Sequence, residues 1–411
     1  MMYKSVKHFD VLIIGGGASG LFCATMLKKN NPTVSVAIIE KQKTVGKKLL
    51  ATGNGRCNLT NLNASMNAYH GTFKKHIDDL LAEFSPQKLI NIFKELGLLT
   101  TIDSEGRVYP LSKHSSSVLD ILSLACKTYN VQIFTEAFVS KIIKNSIFSV
   151  ITNDCEITCE RLIISTGSKA TPETGADDTM LSILQSLGHT ATNLSPALCP
   201  VPVNSKVLFN LKGIRVNGKA SILSEGIVLK SESGEIQFTD KALSGICLFN
   251  LSRIANTTDS AYISIDLLPE MTKDDVFGIL QINKTRLSDA SSAEELLCGI
   301  FQKKLSSTLL LSAGIKKDTA LKHIGNKEIN NLASIIKDWC FEVKKSDDFT
   351  RAQVVAGGII ADEINHNTME SKKIKNMYLI GEIIDCDGDC GGFNLHFAFA
   401  TAYRAAKSIA I

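Results

Sequence analysis

Apolar residues run from Phe9 to Ile14, stop at Gly15-Gly16-Gly17-Ala18-Ser19-Gly20, and resume at helical spacing through Leu21, Ala24, Met26 and Leu27. This predicts a buried strand, a tight turn and a helix. Asn30, Asn31 and Pro32 end the helix, and Val34 to Ile39 predicts a second buried strand that stops at Glu40. Two later stretches repeat the strand followed by a small-residue turn: Arg161 to Ser165 before Thr166-Gly167, and Met377 to Ile380 before Gly381-Glu382. Such strands belong in one parallel sheet whose C-terminal ends converge on a ligand. Since the first and last lie at opposite ends of the chain, the predicted α/β domain comprises residues 1–190 and 345–411.

The intervening pattern changes twice. From Cys199 to Ile265, short alternating segments with turn signals at Asn217-Gly218 and Glu232-Ser233-Gly234 predict antiparallel, barrel-like β structure. From Thr272 to Trp339 the spacing is helical, with capping boxes at Thr272/Asp275 and Ser292/Glu295. An inserted β domain over 191–270 and 337–344, with a helical subdomain over 271–336, is therefore expected.

The glycines of the first turn have separate tasks. Gly15 permits the turn, Gly17 lets backbone approach a pyrophosphate, and Gly20 lets helix and strand pack closely. The amides of Ala18 and Ser19 open the helix, where its dipole favours an anion. Glu40, twenty residues after Gly20, is placed to accept from a ribose, and Lys41 follows it. A dinucleotide site follows from strand, glycines, helix, strand and acid in register, although this motif alone does not separate FAD from NAD. No second fingerprint of this kind occurs in the chain.

Composition narrows the partners. A net charge of +4 on 411 residues gives no argument for nucleic acid or an anionic membrane surface. Eleven cysteines, odd in number and scattered from Cys23 to Cys390, are the pattern of a reducing compartment, so a cytoplasmic location is expected. Three consecutive glycines and Asp10 oppose a signal peptide over Val11 to Leu27. No other run approaches the roughly 20 apolar residues of a membrane span.

Several stretches together resemble the BaiN/RdsA-type, or YhiN-like, NAD(P)/FAD-dependent oxidoreductases, a family that includes aminoacetone oxidases. They are the glycine turn, VGKKLLATGNGRCNLTN from Val45, ISTGSKATPETG from Ile164, Leu243-Ser244-Gly245, VVAGGI from Val354, TMESK from Thr368, and GEIIDCDGDCGGFNLHFAFATAYRAA from Gly381. The resemblance implies noncovalent FAD in a Rossmann-like domain, with an inserted β-barrel-like domain and a small helical domain. It places Lys48, Gly55, Arg56, Cys57 and Asn58 in a loop near the flavin or pyrophosphate. It also sets the Val139 backbone near adenine and Thr166 and Gly167 beside the cofactor. Ala242, Ile246 and Val355 depart from the family's usual residues, so the substrate does not transfer with the resemblance.

The segment from Asp385 to Phe397, DCDGDCGGFNLHF, admits three readings. Alternating Asp385, Asp387 and Asp389 suggest a hard cation, but the glycine and glutamate of a calcium loop are misplaced, and no metal is expected. Cys386 and Cys390 suggest a redox pair. The third reading is a flavin-holding turn: Gly392, Phe393 and Asn394 open a buried helix whose N-terminal amides face the flavin, while Gly381, Glu382 and Asp385 serve the ribityl chain.

The leading functional expectation is hydride transfer from NADH or NADPH, through FAD, to a small organic substrate such as one with a carbon–carbon double bond. Alternatives are an FAD-dependent oxidase of a small amine or amino ketone using dioxygen, and a non-catalytic flavin-bearing sensor. Three residues are candidates for proton or thiol chemistry: His396, Cys57 and Tyr109. For each, a packing role is at least equally expected, so no catalytic acid or base is assigned. A small-molecule substrate is the only partner expected; the oligomeric state is left open.

Overall fold

The computed structural model describes residues 6–409. The chain divides into two compact units, Met1–Ser195 with Phe349–Ile411, and Pro196–Asp348.

In the first unit, β1 (Lys7–Ile14) leads through the glycine turn into α1 (Ala18–Asn30) and then β2 (Val36–Ile39). The second strand starts two residues later than the apolar run suggests, because Ser35 is held off the ladder: its amide and hydroxyl both donate to Asp10 Oδ2 at 2.7 Å. β3 (Gln132–Phe134), β4 (Val139–Lys144), β5 (Phe148–Thr152) and β6 (Glu156–Ile164) join them in the main sheet, in the order β3-β2-β1-β6-β5-β4. Ile14 pairs in parallel with Ile39 and Ile164, and Ile39 with Phe134, so these four strands end in line.

The chain then forms the second unit. Its strands are β7 (Val201–Asn204), β8 (Arg215–Ser224), β9 (Ile227–Phe238), β10 (Ala242–Ser244), β11 (Ala261–Asp266) and β12 (Trp339–Val343). They close as an antiparallel barrel in the order β7-β10-β9-β8-β11-β12. Alternation explains the closure: Ile222, Ile236, Phe238, Ile263 and Phe341 are buried on one side of their strands. The helices are α2 (Ile246–Thr257), α3 (Lys273–Arg286), α4 (Lys303–Ser312) and α5 (Asn326–Lys337). The expected capping boxes are present, at Thr272/Asp275 opening α3 and Ser292/Glu295 opening a short 3-10 turn. Leu243 is buried in this unit's core, whereas Ile246 is exposed at the start of α2.

The C-terminal return supplies β13 (Met377–Leu379), which pairs in parallel with β6 through Ile164 and Leu379. The last helix, α6 (Phe393–Ile409), packs on α1, with Phe22 and Phe399 at 5.1 Å between ring centroids. Both chain ends thus meet in one core: β1, β2, β6 and β13 contribute nearly continuous runs of buried Val, Leu and Ile, as a sheet covered on both faces requires. Among the described residues, no helix is long and apolar enough to cross a membrane.

Candidate active site

A cleft opens over the C-terminal ends of β1, β2 and β6 within the first unit, lined by Gly15, Gly17, Ala18 and Ser19 from the glycine turn. Gly15 has φ +108°, and a Cβ there would lie 2.6 Å from Ser165 O. A Cβ on Gly20 would lie 2.0 Å from Gly15 O, so Gly20 does not line the cleft but lets α1 start hard against the turn. At Gly17 nothing stands within 4 Å of a built Cβ. This open face, at an N-cap with no side-chain cap, leaves backbone donors for an anion.

Glu40 and Lys41 line the cleft next to the turn. The Glu40 carboxylate is already engaged on its inner side: Oε2 accepts the Gly16 amide at 2.9 Å and Oε1 the Gln42 amide at 2.8 Å. Lone pairs remain, since an ionised carboxylate has about four acceptor sites. Ala137 and Glu136 donate their amides to Glu40 O and Gln42 O at 3.0 Å, which fixes Val139 and its neighbours along the same wall. Thr166 and Gly167, just after β6, complete this part of the lining.

The far end is built by the C-terminal return. Lys48, from the short helix Lys47–Ala51, places Nζ 2.6 Å from Glu382 Oε2, while Glu382 Oε1 accepts the Val355 amide at 3.0 Å. Both residues line the cleft. Asn394 does too, and its amide group exchanges two 2.8 Å hydrogen bonds with the Gly388 backbone. Gly381 lies behind the lining: its amide donates to Thr401 Oγ1 at 3.0 Å, and a Cβ there would meet Ser19 Oγ at 2.9 Å.

Other sequence candidates stand off the cleft. Asp385 is buried, and its Oδ2 accepts the Thr72 amide at 3.0 Å, so its carboxylate organises the Gly71-Thr72 turn. His70 Nε2 engages Asp389 Oδ1 at 2.9 Å. The only grouping of possible metal ligands among the described residues is His76, Asp79 and His366, none of which lines the cleft. Phe393 packs edge-on against Tyr69 at 5.9 Å, and a Cβ on Gly392 would meet Asn58 Oδ1 at 2.6 Å. The loop before Asn58 has left-handed backbone at Gly53, Asn54, Gly55 and Cys57. Thr52 from this loop reaches the lining, whereas Gly55, Arg56, Cys57 and Asn58 do not, and Arg56 is exposed.

Burial decides the titratable candidates. Burial pushes the Cys57 thiol up to about 12, which suppresses the thiolate its reactivity would need. His396 is fully buried between Thr60 Oγ1 at 2.8 Å and the Phe84 carbonyl at 3.0 Å, and burial pulls its imidazole down to about 4. It is a neutral packing histidine with Nε2–H donating to the carbonyl. Tyr109 is half-buried on the strand Arg107–Pro110, outside the lining.

Sequence reasoning missed several lining residues. Gln42 and Lys47, both in the lining, bond each other at 2.7 Å, and Thr174 to Asp177 line the cleft beside Gln42. Leu395 and Phe397 also reach the cleft, though their apolar pattern suggested only core, and Cys386, read only as half of a redox pair, lines it as well. The signal for residues 174–177 was the ISTGSKATPETG stretch, which runs on from the Thr166-Gly167 turn as far as Gly175.

Comparison with known proteins places the chain in a family. The model of the HI0933-like protein Rossmann domain family matches residues 9–408. A 3-dehydro-bile acid delta(4,6)-reductase of Clostridium scindens is 33% identical over 405 residues, covering 97% of this chain and 98% of the relative. A ribosomal RNA dihydrouridine synthase of Haemophilus influenzae is 28% identical over 411 residues, covering 98% and 99%. Among solved structures, a 3-ketosteroid-delta4-(5alpha)-dehydrogenase from Rhodococcus jostii superposes with a TM-score of 0.52 at 14% identity, covering 100% of this chain and 98% of that one, which is a likeness of fold. The chain belongs to the HI0933-like family of Rossmann-type flavoprotein oxidoreductases.

Proposed function

We propose that the protein binds one noncovalent FAD in this cleft and uses NADH or NADPH to saturate a carbon–carbon double bond in a small organic substrate. The observation that carries the reading is the cleft's sequence of donors and acceptors: open helix amides at Gly17, an acid at Glu40 and the Lys48–Glu382 pair at the far end. These suit a pyrophosphate, an adenosine ribose and a ribityl chain in turn.

When bound, FAD supplies two-electron transfer. The chain's own residues bind and orient it. The α1 amides would hold the pyrophosphate, and Glu40 would accept ribose hydroxyls with the lone pairs left over from Gly16 and Gln42. Lys48 holds Glu382 in place for the ribityl hydroxyls, and Val139 lends backbone to the adenine. Asn394, rigidified by Gly388, sets the start of α6, whose N-terminal amides would favour negative charge on a bound flavin. Leu395 and Phe397 keep water from that end.

The names of the relatives favour reduction over amine oxidation, since a delta(4,6)-reductase and dihydrouridine synthases both saturate a ring double bond. The two synthases also make uridine in RNA a second substrate class to test. Anaerobic reduction of the purified protein by NADH, by NADPH and by a panel of small amines is the direct experiment. Bleaching of the flavin by a nicotinamide, and reoxidation by an enone or a uridine-containing RNA faster than by air, supports the reductase. Bleaching only by an amine, followed by rapid reoxidation in air, supports the oxidase instead.

A further inference from the structure

We propose that Lys41 and Asp177 form a latch across the adenosine end of the cleft that sets how long FAD stays bound. The proposal rests on the FAD reading above. Lys41 directly follows the ribose-binding position at the end of β2, and its ammonium is paired with the Asp177 carboxylate. Glu40 and Lys41 line the cleft, and so do Thr174 to Asp177. The ion pair therefore ties two segments of the lining together where they meet, so the cleft cannot widen there for a ligand to leave unless the pair opens.

The wall carrying Asp177 is a strap with a fixed base. Thr171 Oγ1 donates to Ala352 O at 2.8 Å and the Thr171 amide to Phe349 O at 3.0 Å. Thr171 and Gly175 both have positive φ, 60° and 90°, which bends the strap back toward β2. Gly175 rests over Gln42, where a Cβ would lie 2.3 Å from Nε2, so no side chain fits between strap and strand end. Asp177 is oriented from its own side by the Thr179 amide, which donates to Oδ1 at 3.0 Å and leaves Oδ2 for the lysine.

Charge allocation along the cleft supports a latch over a phosphate contact for Lys41. Lys47 is bonded to Gln42, Lys48 to Glu382, and Lys41 to the strap. The latch pair is partly exposed, at 28% for Lys41 and 42% for Asp177. A pair of that kind is weak and screened by salt, which suits a contact that must open for loading.

The test is the rate of FAD release from holoprotein, followed by the rise in flavin fluorescence after dilution. Lys41→Ala and Asp177→Asn should each speed release by about 1.5- to fivefold, the range open to a partly exposed pair. The double variant should be no faster than either single one, and the charge-reversed pair Lys41→Asp/Asp177→Lys should return toward the starting rate. Added salt should speed release from the unaltered protein but not from the double variant. Normal FAD uptake with unchanged release in both single variants overturns the latch alone. Additive effects without rescue by the reversed pair also overturn it, since each residue would then act on FAD separately. Failure of the unaltered chain to take up FAD at all overturns both the latch and the flavin reading.

Discussion

Lys48 and Glu382 stand 334 residues apart in sequence and 2.6 Å apart in the fold, each lining the cleft. The two chain ends are thus joined at the site itself. Side chains at 28% and 21% exposure keep the pair partly out of water, so removing one partner leaves a poorly solvated charge. Lys48→Ala or Glu382→Gln should weaken FAD binding by about 1–3 kcal/mol, measured as a dissociation constant by fluorescence titration. An unchanged constant in both variants would assign the pair to structure only.

Glu40 has two duties. Its carboxylate accepts the Gly16 and Gln42 amides and offers its remaining lone pairs to the cleft. Glu40→Ala should therefore lower the stability of the cofactor-free protein as well as FAD affinity, each by about 1–3 kcal/mol. Chemical denaturation of apoprotein separates the two effects. Lost affinity with unaltered apoprotein stability would show that the inner hydrogen bonds contribute nothing net.

His396 gives a signed pH dependence. Its ordinary value is 6.5 and burial lowers it to about 4 in the folded chain. The unfolded chain therefore binds the extra proton first as pH falls. Stability is full above about pH 6.5 and declines toward pH 4, by up to about 3 kcal/mol from this group. His189 shifts in the same direction, chiefly through burial, and adds to the decline. Denaturation midpoints between pH 7.5 and 4.5 should fall less for a folded His396→Gln variant than for the unaltered chain. An equal fall in both would remove His396 from the account.

Cys386 lines the cleft and Cys390 does not. Burial raises the Cys390 thiol, which opposes thiolate chemistry there. The Cys386→Ser/Cys390→Ser variant should keep its flavin reduction rate within about threefold in rapid mixing, since no thiolate is called on. A loss of about a hundredfold would restore a redox role for the pair.

The parallel sheet, the barrel and both capping boxes were legible because each rests on local periodicity or a cap spaced three residues from its partner. The glycine turn with Glu40 was legible for the same reason. What was hidden depends on contacts between distant segments. Asp385 lies in the right segment, yet the Thr72 amide claims its carboxylate from another loop. Leu395 and Phe397 read as core because an apolar side chain facing a cleft has the same pattern as one facing a core. Lys41 carried no mark of its partner, which lies 136 residues on.

The most direct test of the account is the identity of the cofactor released when the purified protein is denatured by heat. The account predicts FAD in the supernatant, about one per chain, because a cleft lined by an acid at the end of β2 and by Val139 suits an adenosine half. FMN in its place, or flavin that stays with the denatured chain, would contradict it.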